Sequence, residues 1–150
     1  ELPLRIVVSG GGSIHPRAKI FQKRFSPVIV LTTERISKAK LKSLRAIAEV
    51  EIFGEREIDF SAAFRRLRKK WNIKKLLCEG GGELHNALLR ENLVDELHLT
   101  ICPKIFGGRA APTIADGVGF PNLAAAKPFR RRSFRSIGGE LFVVFSRRNG

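Results

Sequence analysis

Cys78-Glu79-Gly80-Gly81-Gly82-Glu83-Leu84 is the stretch on which the fold turns: it follows the apolar pair Leu76-Leu77 and leads straight into a helical pattern. An extended run that passes through bare glycines into a helix start is a place to hold phosphate. Without Cβ atoms the backbone approaches an anion closely, and the first N–H groups of a helix lack internal partners and point outward with the positive end of the dipole. A carboxylate at the strand tip, Glu79, then faces whatever lies beside that phosphate. Three glycines also make a tight strand-to-helix turn with no ligand, and neither the dinucleotide nor the P-loop glycine fingerprint is present. The motif alone leaves both readings open.

Working outward toward the N-terminus, Leu4 to Val8 is an apolar run that empties into Ser9-Gly10-Gly11-Gly12, a buried strand followed by a second glycine loop. Pro27 to Thr33 reads as another strand, rich in β-branched residues. A helix is expected over Ile36 to Ala48, with Leu41, Leu44 and Ala48 on one face, then a short strand from Glu49 to Phe53. Phe60, Ala63, Phe64, Leu67 and Trp71 fall on one stripe of a second helix, for which Asp59 is the natural N-cap. Its other face carries Arg65, Arg66, Arg68, Lys69 and Lys70, which reads as a solvated face.

The opening motif supplies a strand over Lys75 to Glu79 and a helix over Glu83 to Glu91. Asp95 to Pro103 alternates Leu97, Leu99 and Ile101 against Glu96, His98, Thr100 and Cys102, the pattern of a strand with one semi-polar face. A long loop rich in Gly, Ala and Pro occupies residues 106–126, and two strands, about Phe129 to Ile137 and Glu140 to Arg147, form a hairpin through Gly138-Gly139. The order βαβαβαβ plus a hairpin predicts an α/β domain over residues 1–150: a mostly parallel central sheet with flanking helices and a C-terminal antiparallel hairpin. Ligands of such sheets bind beyond the carboxyl ends of the strands, and both glycine loops sit there, which strengthens the nucleotide reading.

Composition fits one domain with a real core: 150 residues, 43% of them hydrophobic. No run reaches the ~18 apolar residues of a membrane span, and Glu1-Leu2-Pro3-Leu4 lacks signal-peptide features, so a cytoplasmic protein is expected. The two cysteines, Cys78 and Cys102, lie in apolar strand-like segments without metal-ligand spacing and read as buried thiols; no metal site is expected. The net charge of +14 attracts anions at long range without saying which. Phe129 and Phe134 flank Arg130-Arg131-Arg132, yet Tyr is absent and no recognition helix stands out, so a nucleic-acid function is the weaker reading.

Several candidate groups have plain explanations. His98 on the semi-polar strand face reads as an interface or supporting group, and His15 and His85 as solvent-facing. Asp95 and Glu96 point to opposite faces of a strand and cannot share a site. Trp71 closes an apolar stripe and reads as core.

Taken together, Glu79-Gly80-Gly81-Gly82-Glu83-Leu84, Leu88-Leu89, Leu93-Val94-Asp95-Glu96-Leu97 and Pro103-Lys104-Ile105-Phe106-Gly107-Gly108 resemble the signature of the riboflavin-biosynthesis reductase domain, which has a dihydrofolate-reductase-like fold. Leu4 to Val8, Ile14, Pro16 and Ala18 extend the resemblance over nearly the whole chain. It implies an oxidoreductase that uses NADPH to reduce the ribosylamino group of a pyrimidine 5′-phosphate to the ribitylamino form, with the nicotinamide carrying the hydride. By position, Gly81 to Ala87 would line the NADPH phosphates, with Gly80, Gly81, Gly82, Glu83 and Leu84 as the cofactor-binding core, and Glu79 would contact the pyrimidine. Ser9 and Gly10, which stand where relatives often carry Asp-Ser, and Thr32 and Thr33 are expected at the adenosine end of the same cofactor.

Domains of that family begin with roughly 70 further residues, within ordinary domain size. The chain is therefore expected to be N-terminally incomplete, lacking the family's first strand and helix and, with them, the proton-handling carboxylate; no catalytic residue is assigned. The resemblance also implies a homodimer. A noncatalytic nucleotide-binding or regulatory module of the same fold is the principal alternative, and a basic nucleic-acid-binding protein a second.

Overall fold

β2 (Val28–Thr32) is buried at every residue, and the surrounding structure follows from that. A strand that reads Val-Ile-Val-Leu-Thr has no polar face to give to water, so it must lie between neighbours and under cover on both sides. The computed structural model describes residues 2–22 and 26–148; Glu1 of the N-terminal stretch read above lies outside them. The chain divides into two compact units, Glu1–Lys75 and Leu76–Gly150.

In the first unit β2 pairs in parallel with β1 (Arg5–Val8) on one side and β3 (Glu49–Ile52) on the other, with Val7 opposite Val30 and Val30 opposite Val50. One face of this sheet is a core of Val30, Ile36, Leu44 and Val50, against which Val7, Ile14, Phe21, Leu41 and Ala48 pack. Leu44 comes from α2 (Lys38–Arg45), whose N-cap Ser37 accepts from the Lys40 N–H. A one-turn helix, α1 (Lys19–Gln22), precedes β2 and has no counterpart among the elements expected from the sequence; four residues are too few for a periodic signal. Arg5 ties β1 to this region through the Ser26 hydroxyl at 2.9 Å and the Ile20 and Ser26 carbonyls.

α3 (Phe60–Trp71) matches its expected bounds, with the Asp59 carboxylate accepting from the Ala62 N–H at 2.7 Å and Asn72 closing the C-terminus in the left-handed region. Phe60, Ala63 and Leu67 are buried; Trp71 is half-buried, with the Lys70 ammonium over its ring. The basic face is not purely solvated. Lys70 pairs with Glu49 and Glu51, and Arg66 with Glu51, both acids standing on β3, an edge of the sheet. Charged side chains there guard unpaired backbone against a foreign strand.

The second unit holds α4 (Gly82–Arg90) and three antiparallel strands, β4 (Glu96–Ile101), β5 (Phe129–Ile137) and β6 (Glu140–Arg147), in the order β4-β6-β5. Gly138 and Gly139 both have positive φ, 60° and 83°, as a two-residue hairpin turn requires. A register shift between Arg131 and Ser133 leaves Arg132 as the extra residue of a bulge. Asp95 and Glu96 are separated as expected: Arg147 takes Asp95 at 3.0 Å, and Arg132 and His98 take Glu96.

The α/β class with a parallel sheet, flanking helices and a C-terminal hairpin is what the chain forms, with two differences of detail. β4 joins the hairpin, so the antiparallel part has three strands, because Leu97 and Leu99 stand opposite Phe145 and Val143. Residues 75–79 form no strand: they are exposed and have no ladder partner among the described residues. An apolar run supplies one side of a ladder, and a strand also needs a neighbour. The expectation of buried thiols fails for the same reason. Cys78 lies in this unpaired stretch and Cys102 follows the end of β4, and both are exposed.

Leu67→Ala should lower the unfolding free energy by ~2–5 kcal/mol through the cavity it leaves, and Asp59→Ala by ~1 kcal/mol through the lost cap. Arg68→Ala, on the open face, should stay within ~0.5 kcal/mol. Urea unfolding followed by far-UV circular dichroism ranks the three.

Candidate functional site: two glycine loops

The first loop begins where β1 ends. Ser9 is buried; its hydroxyl accepts from the Ser13 N–H at 2.9 Å, and its carbonyl accepts from the Gly12 N–H at 3.0 Å, which folds residues 9–13 into a tight turn. Gly12 has φ of 64°, and a Cβ there would lie 2.7 Å from Ile36, so the turn closes only with glycine at this position. Thr32 and Thr33 lie beside it at the carboxyl end of β2 and are fully buried. Both hydroxyls donate to the Gly10 carbonyl, at 3.0 and 2.7 Å, and the Thr33 N–H donates to the same oxygen at 3.1 Å. Ser9, Gly10, Thr32 and Thr33 are thus brought together, with the threonine side chains turned onto the loop.

The second loop leads into α4. Gly81 is the N-cap residue and makes no side-chain cap, so the first N–H groups of the helix receive no capping oxygen from it. Nothing lies within 4 Å of where a Cβ on Gly81 would be, which leaves an open approach to that terminus. Gly80 is different: a Cβ there would meet Leu84 at 2.5 Å. Glu83 is exposed in the first turn, Leu84 is half-buried, and Glu79 is exposed in the segment before the glycines.

Gly82 has a neighbour that sequence reasoning missed. A Cβ at this position would collide with the Asp116 carboxylate and lie 2.8 Å from the Asp116 backbone nitrogen. Asp116 belongs to the long loop, which is held across α4 by two further contacts. The His85 Nδ1 lies 3.0 Å from the Ile114 carbonyl, and the buried Asn86 amide donates to the Val118 carbonyl at 3.0 Å. His85 is therefore half-buried rather than solvent-facing. The Thr113 hydroxyl, and after it the Thr113 N–H, donate to the Asp116 carboxylate and hold its carboxyl below the usual carboxylate range. Thr113 and Asp116 stand three apart, the spacing of a local hydroxyl–carboxylate cap, and that was the one signal available in the sequence.

Glu96 and Cys102 sit in local pairs. His98 is exposed beside Glu96, and the His98 hydrogen bond, ahead of Arg132, draws the Glu96 carboxyl down. The Cys102 thiol donates to Glu140 at 3.3 Å and is pushed up by that bond. Among the described residues no group of three or more His, Cys, Asp or Glu is arranged to hold a metal ion, and no helix is long and apolar enough to cross a membrane.

The family model for the RibD C-terminal domain matches residues 1–143. A 2,5-diamino-6-ribosylamino-4(3H)-pyrimidinone 5′-phosphate reductase of Archaeoglobus fulgidus is 33% identical over 98% of this chain and 64% of its own length. One of the same name from Aquifex aeolicus is 32% identical over 94% of this chain and 63% of its own length. The chain spans a little under two thirds of these relatives. Among solved structures, a pyrimidine reductase-like protein of Corynebacterium diphtheriae superposes with a TM-score of 0.81 at 21% identity, covering 99% of this chain and 62% of that one. The shared fold is the dihydrofolate-reductase-like one expected from the sequence.

Gly82→Ala should push the 113–118 segment away from α4, because the clash involves backbone as well as carboxylate; Gly81→Ala should not. Hydrogen–deuterium exchange by mass spectrometry checks this as faster exchange over residues 113–118 in the first variant alone. In the unsubstituted chain the same segment should loosen in acid. A carboxyl whose folded pKa is depressed stabilises the turn above its ordinary value, about pH 4, and loses that contribution as pH falls through the lower folded value.

Proposed function

Because the chain belongs to the RibD C-terminal domain family, we propose that it is a reductase-type domain that binds NADPH and reduces the ribosylamino group of a pyrimidine 5′-phosphate to the ribitylamino form. The family match over residues 1–143 carries the reading, and the two glycine loops support it chemically. The open backbone at Gly81 and the uncapped start of α4 suit an anionic group, as helix N-termini do. Asp116 beside Gly82 opposes an anion there, so phosphate is favoured on the Gly81 side of the terminus.

In this reading Gly80, Gly81, Gly82, Glu83 and Leu84 contact the cofactor in the second unit, and Ser9, Gly10, Thr32 and Thr33 serve it in the first. Glu79, exposed in the segment before the glycines, is the contact for the donor edge of the pyrimidine. The nicotinamide, when bound, supplies the hydride, and one proton from solvent or the protein completes the reduction. This chain's part is to bind and orient: glycine N–H groups for phosphate, a carboxylate for the base, and a surplus of basic residues that draws two phosphorylated ligands from solution. The proposal extends to residues 1–150 acting as one domain, and to a cytoplasmic homodimer.

Isothermal titration of the full chain with NADPH, and with single-stranded RNA, at two salt concentrations tests this. The expected result is NADPH binding that changes little with salt. No NADPH binding at millimolar concentration, or binding only to RNA with a steep salt slope, overturns it. NADPH binding without reductase activity would favour the noncatalytic module instead. In a binding chain, Glu79→Gln should weaken substrate affinity by roughly ten- to a hundredfold, as for loss of a hydrogen bond to a charged group, and leave NADPH affinity unchanged.

A further inference from the structure

The last turn of α4 and the open end of the β5–β6 hairpin enclose a cleft that neither glycine loop reaches. Leu89, Val94 and Phe129 are half-buried in its wall, while Lys127, Arg147 and Arg148 bring three cations to it and no carboxylate lines it. Its walls are fixed by backbone and side-chain bonds. Phe129 stands opposite Arg147 in the ladder, and the Arg147 guanidinium donates to the Asn92 carbonyl at 2.6 Å and pairs with Asp95 at 3.0 Å.

Charge is left over in this cleft. A helix C-terminus ordinarily offers free carbonyls to nearby cations, but those of α4 are already answered. The Glu91 N–H serves the Ala87 and Leu89 carbonyls, the Leu93 N–H serves Leu88, and Arg147 serves Asn92. Asp95 is matched to Arg147, and the other acid close in sequence, Glu91, is exposed at the C-cap. Lys127 and Arg148 pair with no carboxylate among the described residues. The half-buried Lys127 has only the Phe120 ring, its ammonium 5.7 Å from the centroid and near the outer limit of a cation–π contact. A cation so placed, beside apolar side chains, favours an anion from outside.

Size narrows the class of that anion. The cavity volume is about 30 Å³, room for roughly two water molecules. That suits a carboxylate group and is far too little for a nucleotide. Leu89, Val94 and Phe129 beside it favour carbon over water next to the charged head.

We propose that this cleft is a second ligand site, for a carboxylate carried on an apolar stem, with Lys127 and Arg148 taking the charge and Leu89, Val94 and Phe129 the stem. It is distinct from the glycine loop that opens α4, because the nine residues of that helix put ~13 Å between its two ends. The proposal does not depend on the cofactor reading.

The test is a proton–nitrogen correlation spectrum of the isotope-labelled full chain, titrated with benzoate as the probe. The expected result is a saturable movement of the Leu89, Val94 and Phe129 amides that benzyl alcohol, which lacks the charge, and inorganic phosphate, which lacks the stem, do not reproduce. Lys127→Met combined with Arg148→Gln should raise the Kd for benzoate roughly tenfold or more, the scale of a hydrogen bond to a charged group. NADPH added to the benzoate-saturated chain should leave these amides where they are. The proposal is overturned if benzoate at tens of millimolar moves no amide of the cleft, if inorganic phosphate moves the same amides equally, or if NADPH reverses the benzoate shifts. It is equally overturned if the double variant binds benzoate with unchanged affinity. The three probes on the unsubstituted chain decide the question even where the double variant does not fold.

Discussion

The parallel pairing of β2 with a strand on each side is the constraint from which the first unit follows. A strand with no exposed residue has to be central, and once it is central both of its backbone edges are consumed and both of its faces need cover. β1 and β3 satisfy the edges. Leu44 of α2, with Ile36, covers the face that carries Val30 and Val50. Burial continues past the last ladder residue into Thr33, and this is what makes the threonines useful: a buried hydroxyl needs a partner, and the nearest is the loop that follows β1. Core packing and loop geometry are thus one problem here, solved by two side chains.

Charge organises the surface on a longer scale. On β3 the acids Glu49 and Glu51 are matched by Lys70 and Arg66 of α3. These exposed pairs contribute little each to stability. Their use is at the edge, where charge discourages pairing with another strand. The net charge of +14 sets a positive field that attracts anions at long range.

Glycine does three different jobs in these loops. Gly12 is needed because its φ is left-handed and Ile36 packs against it, Gly82 because Asp116 approaches closely, while Gly11 and Gly81 have nothing within 4 Å of a Cβ position. The run Gly80-Gly81-Gly82, read as one phosphate cradle, is in the folded chain a close contact with the protein itself at Gly80 and Gly82 and an open approach at Gly81 between them.

Elements with a complete local signal were legible from the sequence. The apolar stripe and Asp59 cap placed α3, continuous burial marked β2, and Gly138-Gly139 between alternating strands announced the hairpin. The family signature gave the fold and the glycine loops as the places to look, because both depend on residue types at short, fixed spacing. What tertiary structure alone decided were the features that need a partner distant in the chain. Residues 75–79 have strand-like composition but no ladder partner among the described residues, and Cys78 is exposed with them. Asp116 meets Gly82 from more than thirty positions away, and Thr32 and Thr33 reach Gly10 across more than twenty. The sequence by itself determined which segments can be strands, helices and turns, since those preferences are set by each residue and its near neighbours. Only the packed chain decided which donor each carbonyl receives and which glycine faces outward, because hydrogen bonds and close contacts are made between segments that sequence order does not bring together.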